Sequence, residues 1–203
     1  MRRHELESTD PTVFAEVAAA AIVGELGLIT ADGTPRVIPL NFAAVGEVVC
    51  FHGALEGEKF ERIRDDGRCS FSMVSSFSLI PSYWTAPKHA CPATHFFKSV
   101  EIRGRCEIVE DPVEKAAGLQ ALMEKYQPEG GFEPIAADKR MYVKSLAGVG
   151  IFRVAGPWTA KLKFGSNEPA KVRRIWIAKL RERGEPLDLA TADEIEKTLE
   201  DDA

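Results

Sequence analysis

Ile22-Val23-Gly24-Glu25-Leu26-Gly27-Leu28-Ile29-Thr30, then Ala31-Asp32-Gly33-Thr34, then Arg36-Val37-Ile38-Pro39-Leu40-Asn41-Phe42-Ala43-Ala44: two β-textured runs flank an Asp-Gly tetrapeptide, and together they read as a hairpin. Asp-Gly favours the positive φ angles of a tight primed turn. Outward from it, the turn Val45-Gly46-Glu47 leads to a short strand, Val48 to His52, and further strands are predicted over Cys69 to Val74 and Val149 to Val154. A longer one runs from Phe96 to Val109, with Val100, Ile102, Gly104, Cys106 and Ile108 on one face and Glu101, Arg103, Arg105 and Glu107 on the other. Six closely spaced strands joined by antiparallel hairpins predict a mainly β fold, a small antiparallel barrel with peripheral helices. A parallel nucleotide-binding sheet does not fit. The strands leave no room for helical crossovers, and no Gly-x-Gly-x-x-Gly follows a strand.

Helices are announced by their caps. Asp10-Pro11 places an N-cap before a first-position proline, with Phe14, Val17, Ala18 and Ala21 at helical spacing. Asp111-Pro112-Val113-Glu114 repeats the device ahead of Leu119, Leu122, Met123 and Tyr126. A short helix is expected from Glu56 to Asp66, ended by Gly67, and two more over Pro169 to Arg183 and Ala192 to Leu199. Pro81, Pro87 and Pro92 make residues 76–95 an ordered loop. The division expected is a barrel domain over residues 1–165 and a helical extension with an acidic tail over 166–203.

With 203 residues, 45% apolar and 28% charged, the chain can bury a core, and its composition is not that of a disordered protein. No run of 18 apolar residues is present and the start carries no apolar stretch, so neither a membrane span nor a secretory signal is expected. Four scattered cysteines, none in a Cys-x-x-Cys pair, fit a reduced, cytoplasmic chain. Residues 185–203 hold eight acids against one base, and the remainder is nearly balanced. Such a body offers no clustered basic face for nucleic acid, and the tail reads as a solvated helix.

The most informative chemistry lies in Phe51-His52-Gly53-Ala54-Leu55-Glu56-Gly57-Glu58-Lys59. A strand ends, Gly53 and Gly57 lie four apart, and a helix begins with a lysine in its first turn. Free N–H groups at a helix start beside an ammonium suit a phosphate monoester, and glycine lets backbone approach an anion closely. The plainer alternative is a strand-to-helix turn that needs glycine for its geometry and carries a solvated lysine. His52 fits an acid–base group, a metal or haem ligand, or a hydrogen-bonding side chain at a strand end. His89, Cys91 and His95 have ligand-like spacing but no second cluster, so no metal site is assigned. Pro39 interrupts a strand where it cannot donate a ladder bond: either the strand is an edge, or its backbone faces a ligand whose heterocycle edge Asn41 could read.

These segments, followed by Ser99-Val100-Glu101-Ile102-Arg103-Gly104 and Glu110-Asp111, resemble the flavin-binding split-barrel superfamily related to pyridoxamine 5′-phosphate oxidase, nearest its nitroimidazole-resistance branch. The resemblance implies a six-stranded antiparallel split β-barrel that forms a homodimer with flavin mononucleotide (FMN), ahead of FAD or haem, at the interface. It implies that Pro39, Leu40 and Asn41 line the isoalloxazine. His52, Gly53 and Ala54 would lie by the ribityl chain, with Gly57 beside Lys59 on the phosphate. Ser99 and Val100 would meet flavin near the dimer seam, and Trp158 with Lys161 or Lys163 would reach it from the second subunit. Where many relatives carry Tyr before the Ser-Val pair, this chain has Phe96-Phe97-Lys98. The implied activity is an FMN-dependent oxidoreductase acting on a small acceptor such as a nitro compound or quinone, with His52 as proton donor. A flavin-binding sensor without turnover and a haem protein with His52 as axial ligand are the alternatives.

Overall fold

The computed structural model describes residues 3–200. In chain order its elements are β1 (Glu7–Ser8), α1 (Pro11–Ala20), β2 (Gly24–Ile29), β3 (Pro35–Leu40), β4 (Ala43–Val45), β5 (Val48–Gly53), α2 (Glu58–Asp65) and β6 (Arg68–Ile80), then β7 (Thr94–Val109), α3 (Pro112–Tyr126), α4 (Arg140–Gly148), β8 (Gly150–Ala155), β9 (Trp158–Lys163), α5 (Ala170–Arg183) and α6 (Asp188–Glu200). The chain divides into two compact units: a larger one, Thr9–Met73 with Val100–Thr159, and a smaller one, Met1–Ser8 with Val74–Ser99 and Ala160–Ala203.

The strand path is β3-β2-β6-β7-β8-β5-β4, and the pairs β3–β2, β2–β6, β7–β8, β8–β5 and β5–β4 are antiparallel. The two ends of this path, β3 and β4, are consecutive in the chain and joined only by Asn41 and Phe42. Three Cα–Cα steps span about 11 Å at most. The sheet therefore curls until its ends are neighbours, yet β3 and β4 do not pair: it is a barrel left open at one seam. Its interior holds Phe14, Phe42, Phe51, Phe71 and Phe152 with Leu26, Met73, Ile102 and Ile151, all fully buried. Gly24 is small for a reason, since a Cβ there would lie 2.2 Å from Phe71 Cζ and 2.9 Å from Phe42 Cδ1.

Two side chains at the end of α3, Tyr126 and Lys125, hold the seam. The Tyr126 hydroxyl, at the end of α3, accepts from the Phe42 N–H at 3.0 Å and lies 2.6 Å from the Ile22 carbonyl, to which it donates. The Lys125 ammonium sits 3.5 Å from the centroid of the Phe42 ring and donates to the Ala18 carbonyl at the end of α1 at 2.8 Å. Burial lowers the Lys125 pKa to about 8.

The smaller unit packs Phe96, Phe164, Ile80, Trp176, Ile177, Leu180, Ala192 and Ile195 into one cluster, and β1 pairs antiparallel with β9. Here α5 and α6 are locked by Asp188, whose fully buried carboxylate accepts from Arg183 Nε at 2.8 Å and Nη2 at 2.6 Å, from Ser78 Oγ at 2.6 Å and from the Glu185 N–H at 2.9 Å. The Arg183 hydrogen bonds above all hold its pKa down to about 2.

Mainly antiparallel β with peripheral helices is what the sequence predicts, but nine strands are described rather than six. The additions are β1, β9 and the division of Arg36–Ala44 into β3 and β4 at the seam. The segment expected to be a loop over 76–95 is shorter, because β6 continues to Ile80 and β7 begins at Thr94. The Asp32-Gly33 turn is not a primed one. Only Gly33 takes a positive φ, +85°, and Asp32 instead accepts from Thr30 Oγ1 at 2.5 Å and the Thr34 N–H at 3.1 Å. Nor is the acidic helix merely solvated, since α6 buries Asp188, Thr191, Ala192 and Ile195. Residues 201–203 of the acidic tail lie outside the described residues.

Two outcomes are expected. Tyr126→Phe leaves the Phe42 N–H without its partner and should cost about 1–3 kcal/mol in urea unfolding. Asp188→Asn should cost about 3 kcal/mol at neutral pH. A depressed carboxylate pKa contributes stability above its unfolded value and loses it as pH falls through the folded value. The gap between wild type and Asp188→Asn should therefore hold above about pH 4 and close toward pH 2.

Candidate functional site

In the larger unit, β5 carries buried Phe51 and exposed His52 to Gly53, which pairs across to Gly150 of β8. Two glycines facing each other across a ladder leave a notch, because a Cβ on Gly150 would lie 2.9 Å from the Gly53 carbonyl oxygen. Gly57 then turns the chain at φ +86° and caps α2 without a side-chain hydrogen bond. The N–H groups of Glu58, Lys59 and Phe60 precede the first intrahelical bond, which runs from Glu61 to the Gly57 carbonyl.

Lys59 folds back into the notch. Its ammonium lies 2.7 Å from where a Gly53 Cβ would be, 5.3 Å from the Phe51 ring centroid and 5.7 Å from that of Phe152. These two rings stack at 5.0 Å. Burial lowers the Lys59 pKa, and among the described residues this ammonium has no ion pair and no hydrogen bond. The nearby carboxylate of Glu58 is taken by Arg36 of β3. A half-buried cation without a counter-ion, beside uncapped helix N–H groups and a two-glycine notch, is suited to an anion with several acceptor oxygens.

The other candidates are placed as follows. Pro39 lies on β3, at the end of the strand path, so its missing N–H can face the open side; Leu40 is half-buried and Asn41 exposed at the seam. Ala54 and Gly57 are exposed, and the His52 side chain has no hydrogen-bond partner among the described residues. Val100 is fully buried, which leaves its backbone as the part able to meet a ligand. Trp158 is half-buried, its indole 5.1 Å from the Phe14 ring. In the smaller unit Ser99 is half-buried, and the ammonium groups of Lys161 and Lys163 lie 5.3 and 5.4 Å from the centroid of Phe97. Phe97, the departure from Tyr noted in the sequence, thus carries two cations.

His95 makes a hydrogen bond with the Phe77 carbonyl at 3.0 Å, while His89 and Cys91 are exposed. Among the described residues no group of three or more His, Cys, Asp or Glu is placed to hold a metal ion. No helix described is long and apolar enough to cross a membrane.

Sequence reasoning missed Gly150, Phe152, Arg36 and Tyr126. Each reaches the site or its seam through a pairing between distant segments, and no local spacing signals that.

Residues 13–154 match the family described as pyridoxamine 5′-phosphate oxidase. Among solved structures, the chain is similar to a putative 5-nitroimidazole antibiotic resistance protein from Bacteroides thetaiotaomicron: TM-score 0.59, 21% identity, covering 77% of this chain and 86% of that one. It is also similar to the flavocytochrome Anf3 from Azotobacter vinelandii, with TM-score 0.65, 20% identity and coverage of 80% and 72%. A FAD and haem binding protein from Mycobacterium smegmatis gives 0.59, 16%, and 77% and 72%. A comparison with curated protein sequences finds no match. These likenesses confirm the fold, and the family match covers most of the chain, barrel included: it belongs to the pyridoxamine 5′-phosphate oxidase family.

Proposed function

We propose that the chain binds FMN, with the phosphate on Lys59 and the first turn of α2, and that it is an oxidoreductase for a small acceptor such as a nitro compound or quinone. The observation that carries this reading is the Lys59 ammonium, desolvated over Phe51 and Phe152 with no counter-ion among the described residues. A cation held this way lowers the stability of the empty protein and is worth holding only for an anion. The acceptor class is supported by the likeness to a putative nitroimidazole resistance protein.

When bound, FMN would supply the two-electron chemistry. Lys59 and the α2 amides would neutralise and orient the phosphate. Asn41, exposed at the seam, would offer a donor and an acceptor to the edge of a heterocycle. His52, exposed two β5 residues from buried Cys50, is the group proposed to hold or deliver a proton.

A homodimer belongs to the same proposal. The edge strand β3 leaves Val37 63% exposed, and Ile29 on β2 is 42% exposed. An apolar sheet edge is a pairing hazard unless something covers it, and a second copy would do so. Lys161, Lys163 and Trp158 are then the residues proposed to reach flavin from that copy. A cytoplasmic location is in keeping with four free cysteines.

The test separates the ligand from the fold. Lys59→Met should weaken FMN binding by about 1–3 kcal/mol, the scale of a charge-assisted hydrogen bond, while leaving the melting temperature of the FMN-free protein unchanged or higher. Gly53→Ala should weaken it too, because its Cβ displaces the ammonium, and the fold should tolerate that shift of a flexible side-chain end. Unchanged FMN affinity in both variants contradicts the assignment. Reduction of the bound flavin by NADH or NADPH, followed by reoxidation with an added nitroaromatic or quinone, distinguishes an enzyme from a flavin sensor. A Soret band that His52→Ala abolishes would favour the haem reading instead.

A further inference from the structure

The smaller unit contains a cavity of about 500 Å³ whose lining shares only Lys163 with the residues named in the flavin reading. Phe96 and Trp176 contribute its aromatic lining, and both are buried, packed edge to face at 5.4 Å and 69°. The indole is held in place by backbone: Gly165 takes φ +81°, and a Cβ there would lie 2.6 Å from Trp176 Cζ3. The Trp176 Nε1–H is buried with no hydrogen-bond partner among the described residues. Buried donors are almost always satisfied, so this orphan is a cost the fold carries for a reason.

The polar lining is cationic. Lys163 and Arg3 both line the cavity, and Lys163 shares the Phe97 ring with Lys161. Burial and the repulsion of Lys161 and Arg3 push the Lys163 pKa down. Among the described residues none of these three cations has an ion pair. The one carboxylate in the lining, Glu168, accepts from Asn167 Nδ2 at 2.9 Å. An uncharged ring would leave the cations facing one another, and an aliphatic anion would leave the aromatic lining unused.

We propose that this cavity binds a planar aromatic carboxylate, its ring against Phe96 and Trp176 and its carboxylate toward Lys163 and Arg3. Its lining residues all belong to the smaller unit, whereas the proposed FMN phosphate site depends on Lys59 of the larger. Its volume lies within the range of small-molecule sites.

Cys91 supplies the readout, because it lines the cavity and is exposed, whereas Cys50 and Cys106 are buried and burial raises the thiol pKa of Cys69 to about 11. The experiment titrates the full-length protein with 2-naphthoate and with 2-naphthamide, following binding by calorimetry and alkylation of Cys91 by mass spectrometry. The acid should bind about tenfold or more tightly than the amide, the scale of one charged hydrogen bond, and should slow Cys91 alkylation. Lys163→Gln should lower its affinity by about the same factor, and Ala86→Phe, which fills the cavity without changing charge, should abolish protection of Cys91. Absence of saturable binding at millimolar concentration, equal affinity for the amide, or protection that survives both variants overturns the proposal. So does loss of 2-naphthoate binding in Lys59→Met, which would place the anion at the other site. A wild-type protein that binds 2-naphthoate as described but not FMN supports this cavity and contradicts the flavin reading alone.

Discussion

The two residues Asn41 and Phe42 constrain the larger unit more than any other feature. They join the two ends of its strand path, so the sheet cannot lie flat, and β3 and β4 do not pair with each other. The Phe42 ring is the plug that makes this bend stable, fully buried against Phe71 at 5.2 Å and under the Lys125 ammonium. Its backbone cannot be satisfied by a strand partner at the seam, and the Tyr126 hydroxyl takes that place from the end of α3. Helix α3 is in turn set by Asp111, whose carboxylate accepts from the Val113 N–H at 3.0 Å. A helix cap thus fixes a tyrosine, the tyrosine fixes a bend, and the bend leaves Asn41 and the outer side of β3 facing out.

The proposed phosphate site follows a different logic, one of retained cost. Gly53 and Gly150 give up side-chain packing at the point where two strands are paired, and Lys59 fills the notch with an ammonium that burial disfavours. A hydrophobic residue in place of Lys59 would make a more stable empty protein. Arg36 occupies the neighbouring Glu58 carboxylate, so that acid does not neutralise the lysine. What remains is a positive, donor-rich notch at a helix start.

Much of this was legible where the signal is local. The caps at Asp10 and Asp111 work as their spacing predicts, accepting from Thr12 at 2.8 Å and Val113 at 3.0 Å. The strand-to-helix turn at Gly53–Lys59 lies where the sequence puts it. Pro39 lies on an edge strand, as β3 ends the path. The failures are non-local. Strand β6 runs through Ser75-Ser76-Phe77-Ser78, a polar stretch that looks like loop, because Ser78 is satisfied by Thr191 and Asp188 more than a hundred residues away. β9 was not predicted, and its start follows the Gly156-Pro157 turn, where a Cβ on Gly156 would lie 2.6 Å from the Arg103 carbonyl oxygen. The Gly53–Gly150 notch is set by strand register, which spacing along the chain does not reveal.

The most direct measurement is the absorbance spectrum of freshly purified protein that has never been reconstituted, followed by chromatography of whatever heat releases. The account predicts a flavin spectrum and released FMN, or, from colourless protein, stoichiometric uptake of added FMN that raises the melting temperature by mass action. A colourless protein that takes up no FMN would contradict it and leave the Lys59 notch without its ligand.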